Sequence, residues 1–293
     1  MNIRLEGTYT ALVTPFDRGG GVDFGVLKDL VEWQIAEGVE GLVPVGTTGE
    51  SPTLDYDEHE KVIETVIAKA AGRVKIIAGT GANSTKEALE LTRHAKDAGA
   101  DATLQVTPYY NKPTPAGLVR HFSAVADIGL PVVLYNVPGR CGRDIPLEVA
   151  AQLAAHPNVV AIKEAAGSVE RVSQLSARCP ELTVLSGDDS LTLPMMAVGA
   201  RGVISVASNV APRAVGDMVR HARAGRFSDA LSLHRKYYSL FTDLFLETNP
   251  VPVKAALAMA GRIEEVYRLP LCEMEPTTRR RLEATLKACG LLK

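Results

Sequence analysis

Between residues 11 and 206 one pattern recurs eight times: a short apolar run, a polar or glycine-rich turn, then a longer amphipathic segment. The short runs fall at 11–13, 41–45, 75–78, 102–106, 131–135, 159–162, 183–185 and 202–206. Runs of this length and evenness read as strands buried on both faces, as in a parallel sheet covered by helices. Helical segments are expected between them, for example at 24–37, 57–70, 86–97, 115–127 and 147–154. Ser84-Thr85-Lys86-Glu87 reads as a capping box, Thr114 and Ser168 as N-caps, and Gly38, Gly72, Gly99 and Gly199 as helix stops. Eight β-then-α units in about 225 residues suit a closed (βα)8 barrel better than a doubly wound sheet of five or six strands. The open sheet also lacks its fingerprint, because Gly79-Thr80-Gly81-Ala82-Asn83-Ser84 has only two of the three glycines.

Strand signals stop after Gly225. Phe227, Ala230, Leu231, His234, Tyr237, Tyr238, Phe241, Leu244 and Phe245 then recur at helical spacing, a stripe expected to serve core or subunit packing. Asn249-Pro250-Val251-Pro252 should break the helices there. The expected division is therefore a barrel over 1–224 that carries the active site and a C-terminal helical region over 225–293.

Composition narrows the class. The chain of 293 residues is 46% hydrophobic, enough for one large core, and its net charge of −2 gives no reason to expect nucleic acid or a membrane as partner. Cys141, Cys179, Cys272 and Cys289 have no metal-finger spacing and read as free thiols in a reducing compartment. The first seven residues are too polar for a signal peptide, and no apolar run spans a bilayer. The expectation is a soluble cytoplasmic protein.

The sixth apolar run leads into Lys163-Glu164 and then Ala165-Ala166-Gly167. A lysine is among the residues least expected at the end of a buried strand. Burial lowers an ammonium pKa. A fall from about 10.4 to about 7 would raise the free amine at neutral pH from under roughly 0.1% to roughly half, the preparation a Schiff-base lysine needs. The competing reading is that Lys163 pairs with Glu164 or reaches solvent.

In a barrel of this kind the chemistry lies at the C-terminal ends of the strands. Those ends carry Gly46-Thr47-Thr48-Gly49-Glu50, Tyr109-Tyr110-Asn111, Tyr135-Asn136-Val137-Pro138-Gly139-Arg140, Lys163 and Gly187-Asp188-Asp189. The threonine turn can offer N–H groups and hydroxyls to a carboxylate. Tyr135 can move a proton, and Arg140 can hold a second carboxylate. All six histidines lie in or beside helical segments, against a histidine metal site or a serine–histidine relay. A carboxylate metal site from Glu50, Asp188 and Asp189 is the remaining metal reading. One lysine, two threonines, a phenol and an arginine on successive strand ends make a keto-acid Schiff-base site, and by strand alternation Glu164 should point away from Lys163.

The strand ends, together with Val13-Thr14-Pro15, Val106-Thr107-Pro108, Ile162-Lys163-Glu164-Ala165 and Gly202-Val203-Ile204-Ser205-Val206, also resemble a known family. It is that of the pyruvate-dependent Schiff-base barrel aldolases, which includes dihydrodipicolinate synthase and N-acetylneuraminate lyase. The resemblance runs almost end to end, and the arginine after Tyr-Asn-Val-Pro favours the synthase branch. It implies condensation of pyruvate with L-aspartate 4-semialdehyde through an imine on Lys163, followed by ring closure to 4-hydroxy-tetrahydrodipicolinate. Another keto-acid lyase of the family, or a non-catalytic binding member, are the alternatives. The resemblance implies Thr47, Tyr135 and Tyr110 as a proton relay, with Tyr110 supplied by a neighbouring subunit of a dimer of dimers. It implies Thr48, Ile204, Gly187 and Arg140 as substrate-binding positions, and no metal or organic cofactor. It also implies a site for inhibitory L-lysine at Tyr56, His59, Asn83, Glu87 and Tyr109. Tyr56 and Pro52 depart from one common form of that site, and Cys141 stands where threonine is more usual.

Overall fold

The computed structural model describes residues 3–292; Met1 and Asn2, which open the polar N-terminal segment, lie outside it. In chain order the elements are β1 (Gly7–Ala11), α1 (Phe24–Ala36), β2 (Gly41–Val43), α2 (Tyr56–Ala70), β3 (Lys75–Gly79), α3 (Thr85–Asp97), β4 (Ala102–Val106), α4 (Pro115–Ala126) and β5 (Val132–Asn136). Then come α5 (Pro138–Cys141), α6 (Leu147–Ala154), β6 (Val159–Glu164), α7 (Val169–Arg178), β7 (Thr183–Ser186), α8 (Thr192–Ala197), β8 (Gly202–Ser205) and α9 (Pro212–Arg223). Three helices finish the chain: α10 (Phe227–Asp243), α11 (Val251–Met259) and α12 (Pro276–Ala288). The eight strands close into one barrel in sequence order, with β1 parallel to both β2 and β8. The (βα)8 expectation is met.

Strand alternation divides the apolar residues into two layers. Tyr9, Val43, Ile77, Leu104, Val133, Ala161, Leu185 and Ile204 fill the barrel interior, and a second, larger cluster lies between the strands and the helices. Lys163 is two residues beyond Ala161 on the same strand, so its side chain belongs to the interior. Glu164 belongs to the outer layer.

Two strands differ from expectation. The first strand is Gly7–Ala11, not 11–13, because its polar residues face outward into the helix layer. There the Thr10 hydroxyl donates to Gln34 Oε1 at 2.7 Å, so a buried side chain on α1 satisfies a polar strand position. Leu12 and Val13 continue past the strand into the outer layer. The second strand stops at Val43, short of the expected 45. Pro44 has no N–H to give the ladder, and Val45 has a left-handed φ of 54°.

The helix starts are mostly set by local side chains, as the sequence implies. Thr114 accepts from Gly117 N–H and Ser168 from Arg171 N–H, each at 3.2 Å. The capping box falls elsewhere than expected. Ser84 accepts from Glu87 N–H at a long 3.5 Å without the reciprocal bond, whereas Asp55 and Glu58 at the start of α2 make both. The Glu87 carboxylate instead lies near the Tyr56 phenol, which burial and that charge raise above its usual range.

The helical stripe after residue 225 is split. Ala230, Phe241 and Leu244 are buried, but Phe227, Leu231, Tyr238 and Phe245 are exposed. The Asn249-Pro250 break separates α10 from α11 as expected. No helix among the described residues is long and apolar enough to cross a membrane.

Candidate active site

The Lys163 side chain is buried at the end of β6, with its amine 4.2 Å from the centroid of the Tyr135 ring on β5. The two residues are register partners in the β5–β6 ladder, so adjacent strands deliver the amine and the phenol to one place. Glu164 is not the partner of Lys163. Its carboxylate is fully buried on the outer face, where it accepts from Arg171 Nε at 2.9 Å, Asn136 Nδ2 at 3.0 Å and Ala166 N–H at 2.9 Å.

Opposite, after β2, Thr47–Gly49 forms a tight 3₁₀ turn closed by Gly49 N–H donating to the Gly46 carbonyl at 3.0 Å. Thr47 and Tyr135 line a small cavity of about 40 Å3 with Gly46, Gly79, Gly81 and Val106. Larger grooves lie elsewhere: one of about 610 Å3 at the strand-start end of the barrel, and one of about 1050 Å3 between α1 and the C-terminal helices. Neither touches Lys163, Tyr135 or Thr47, and the chemical groups, not cavity size, mark the site.

The turn is held from the far end of the chain. Asn249 Nδ2 donates to the Thr48 hydroxyl at 3.0 Å, and Arg140 donates to the Asn249 carbonyl at 3.1 Å. Asn249 therefore bridges the loops after β2 and β5. Glu50, at a left-handed φ of 56°, forms a fully buried ion pair with Lys254 of α11. Lys254 also lies 4.1 Å from the Phe16 ring centroid. Sequence reasoning missed the bracing roles of Asn249 and Lys254, which lie about two hundred residues from Thr48 and Glu50.

After β7, Gly187 donates its N–H to the Glu164 carbonyl at 2.8 Å. A β-carbon there would come within 2.6 Å of Ala165 Cβ and 3.1 Å of Lys163 Cε, so the position admits glycine only if the lysine is to keep its place. Burial pushes the Asp188 carboxyl above its usual range, and Lys163 pulls against that rise. Asp189 is raised by burial as well, opposed by hydrogen bonds from Ser205 and the Val206 and Ala207 N–H groups. With Glu50 committed to Lys254 and Asp189 to these donors, the three carboxylates do not assemble a metal site. No group of three or more potential metal ligands exists among the described residues. Ile204 is fully buried in β8, paired with Tyr9.

Tyr110 is not brought to Lys163. It is 90% exposed at a left-handed φ of 71°, projecting from the loop after β4. Beside that loop, Tyr56, Glu87 and Tyr109 are neighbours: burial and the Glu87 charge raise both phenols above their usual range. The Asn83 carbonyl accepts from Asn111 Nδ2 at 2.8 Å. His59 is buried nearby, and burial lowers its pKa to about 4. Cys141 is buried beside Arg140, and burial pushes its thiol up to about 11, so it is no nucleophile at neutral pH.

Comparison with known proteins agrees with this fold. Residues 4–289 match the family described as the dihydrodipicolinate synthetase family. The chain is 51% identical over 290 residues to the 4-hydroxy-tetrahydrodipicolinate synthase of Geobacter sulfurreducens, covering 98% of this chain and 100% of that one. It superposes with a TM-score of 0.97 on the chloride-inhibited dihydrodipicolinate synthase of Acinetobacter baumannii complexed with pyruvate, at 47% identity, covering 99% of this chain and 100% of that one. The enzyme of Cyanidioschyzon merolae with lysine bound gives 0.95 at 40% identity, with 98% and 99% covered.

Proposed function

Since the chain belongs to the dihydrodipicolinate synthetase family, we propose that Lys163, Tyr135 and Thr47 carry the family's Schiff-base chemistry in it. The reaction is a class I aldolase-type lyase reaction: pyruvate condenses with L-aspartate 4-semialdehyde and the product cyclises to 4-hydroxy-tetrahydrodipicolinate, the first committed step of diaminopimelate and lysine biosynthesis. The single observation that supports the residue assignment is the buried Lys163 amine over the Tyr135 ring, with Glu164 turned to the other face.

In this reading Lys163 Nζ attacks the pyruvate keto carbon, and loss of water leaves an imine. A methyl proton departs to give the enamine, whose carbon bonds to the aldehyde carbon of the second substrate. The adduct's own amine then attacks the imine carbon, closes the ring and releases Lys163. Tyr135 and Thr47 pass the protons. Thr48, Gly187 and Ile204 line the pyruvate position, and Arg140 takes the semialdehyde carboxylate as a guanidinium fork. Asn249, bonded to both Thr48 and Arg140, holds the two positions in one frame.

Tyr110 is assigned to the relay of a second copy, supported by its 90% exposure on a protruding loop. The exposed side chains of α10 suit contact between further copies, which fits a homotetramer. L-Lysine is assigned as an effector at Tyr56, Asn83, Glu87 and Tyr109, with His59 beneath them as a neutral ring. Residues 1–224 act as the catalytic barrel, and 225–293 as a helical region that braces its mouth through Asn249 and Lys254.

Borohydride added with pyruvate tests the assignment. It should leave one reduced adduct on Lys163, and an unmodified Lys163 sinks the reading.

A further inference from the structure

One residue beyond the Tyr135–Lys163 pair, Asn136 and Glu164 face each other across the same two strands, on the opposite side of the barrel wall. Both are fully buried. The Glu164 carboxylate accepts from Asn136 on β5, from Ala166 N–H just beyond β6 and from Arg171 on the first turn of α7. Asn136 carries the network further, donating to Asp144 at 2.7 Å while its Oδ1 accepts from Ile145 N–H at 2.9 Å. Arg171 also donates to the Ile145 carbonyl and pairs with Asp144 at 3.4 Å. The segment so held follows the loop that bears Arg140.

A buried charge pair of this kind is poorly explained by stability. Replacing such a pair with apolar side chains of similar size is often neutral or stabilising. What directional bonds add is a fixed relative placement of the parts that they join. Here they join the two strands whose inner faces carry the amine and the phenol, and reacting groups misplaced by about 1 Å can lose about a hundredfold in rate.

We propose that Glu164, with Asn136 and Arg171, is a positioning layer that sets the Lys163 amine against the Tyr135 phenol from behind the barrel wall. The proposal rests on the assignment of Lys163 and Tyr135 above. None of the three side chains touches substrate; each acts through the strand that it locks.

Time-resolved borohydride trapping of the pyruvate imine in the full-length protein tests it. Glu164→Gln and Arg171→Lys are expected to slow trapping at saturating pyruvate, the first by at least about tenfold, with half-saturating pyruvate unchanged within about twofold. The double variant Glu164→Leu with Arg171→Leu removes both charges and is expected to unfold near the wild-type temperature while remaining slow. Recovery of the trapping rate together with thermal stability in the double variant would show that packing alone matters, and overturns the proposal. Whether or not that variant folds, wild-type trapping rates in both single variants overturn it, as does a rise in half-saturation with no change in maximal rate. Failure to trap Lys163 in the wild-type protein would instead remove the underlying assignment, so the two failures are distinguishable.

Discussion

The Lys163 amine lies 4.2 Å from the centre of the Tyr135 ring, on register-paired positions of neighbouring strands. The ring covers the amine, so under the proposed assignment one residue both shields the nucleophile and offers it a proton carrier. Tyr135→Phe keeps the cover and removes the carrier. Its kcat should fall by about 10² to 10⁴ with an unchanged melting temperature. A variant with full activity would leave Tyr135 as a packing residue only.

Gly187→Ala should act on the same pair from the β7 side. The added methyl meets Ala165 Cβ at 2.6 Å and Lys163 Cε at 3.1 Å, the first partly buried and the second buried. Overpacking of this kind costs about 1–3 kcal/mol. Because one of the two neighbours is the Lys163 side chain itself, imine formation should slow more than stability falls. Mass spectrometry of trapped adduct against thermal unfolding separates the two, and equal losses would refute the expectation.

Lys254→Met removes one half of a pair in which neither side chain is exposed. The Glu50 carboxylate would then be buried without a cation, a change worth about 3–5 kcal/mol. Lys254→Met with Glu50→Gln should recover most of that loss in urea denaturation. The single variant should also loosen the Thr47–Gly49 turn, seen as weaker saturation by pyruvate.

Acid should destabilise the fold before it titrates most carboxylates. His59 and His121 are buried, and burial lowers both from 6.5 to about 4. Between those values the unfolded chain holds protons that the folded chain refuses, so the contribution of these two rings falls as pH drops from about 6.5 towards about 4 and is constant below. The loss is roughly 3 kcal/mol for each ring. Urea midpoints measured across that window check the slope, and His121→Gln should flatten it by about half.

Arg140→Ala should raise the semialdehyde concentration needed for half-saturation while leaving pyruvate imine formation intact, since Arg140 reaches Asn249 at the rim and not Lys163. Equal impairment of both substrates in steady-state assays would place Arg140 in a general structural role.

The barrel and the meeting of Lys163 with Tyr135 were readable in the chain because strand ends in a barrel bring distant motifs to one face. Eight apolar runs of three to five residues leave few closed arrangements, and period-2 alternation alone turns Lys163 inward and Glu164 outward. Local side-chain rules likewise found the caps at Thr114 and Ser168. Where polar strand residues are satisfied by a remote helix, the pattern misleads. Thr10 finds its partner in Gln34, and the strand therefore lies earlier than its apolar residues imply.

Tertiary structure alone decided what braces the site. Asn249 meets Thr48 across 201 positions of sequence and Lys254 meets Glu50 across 204, and neither pair leaves a periodic or local signature. The same holds for the Asn136–Glu164–Arg171 network, which joins β5, β6 and α7. Residue type and spacing determine which groups point into a barrel. Which groups hold them there depends on directional bonds between segments that only the closed fold brings together.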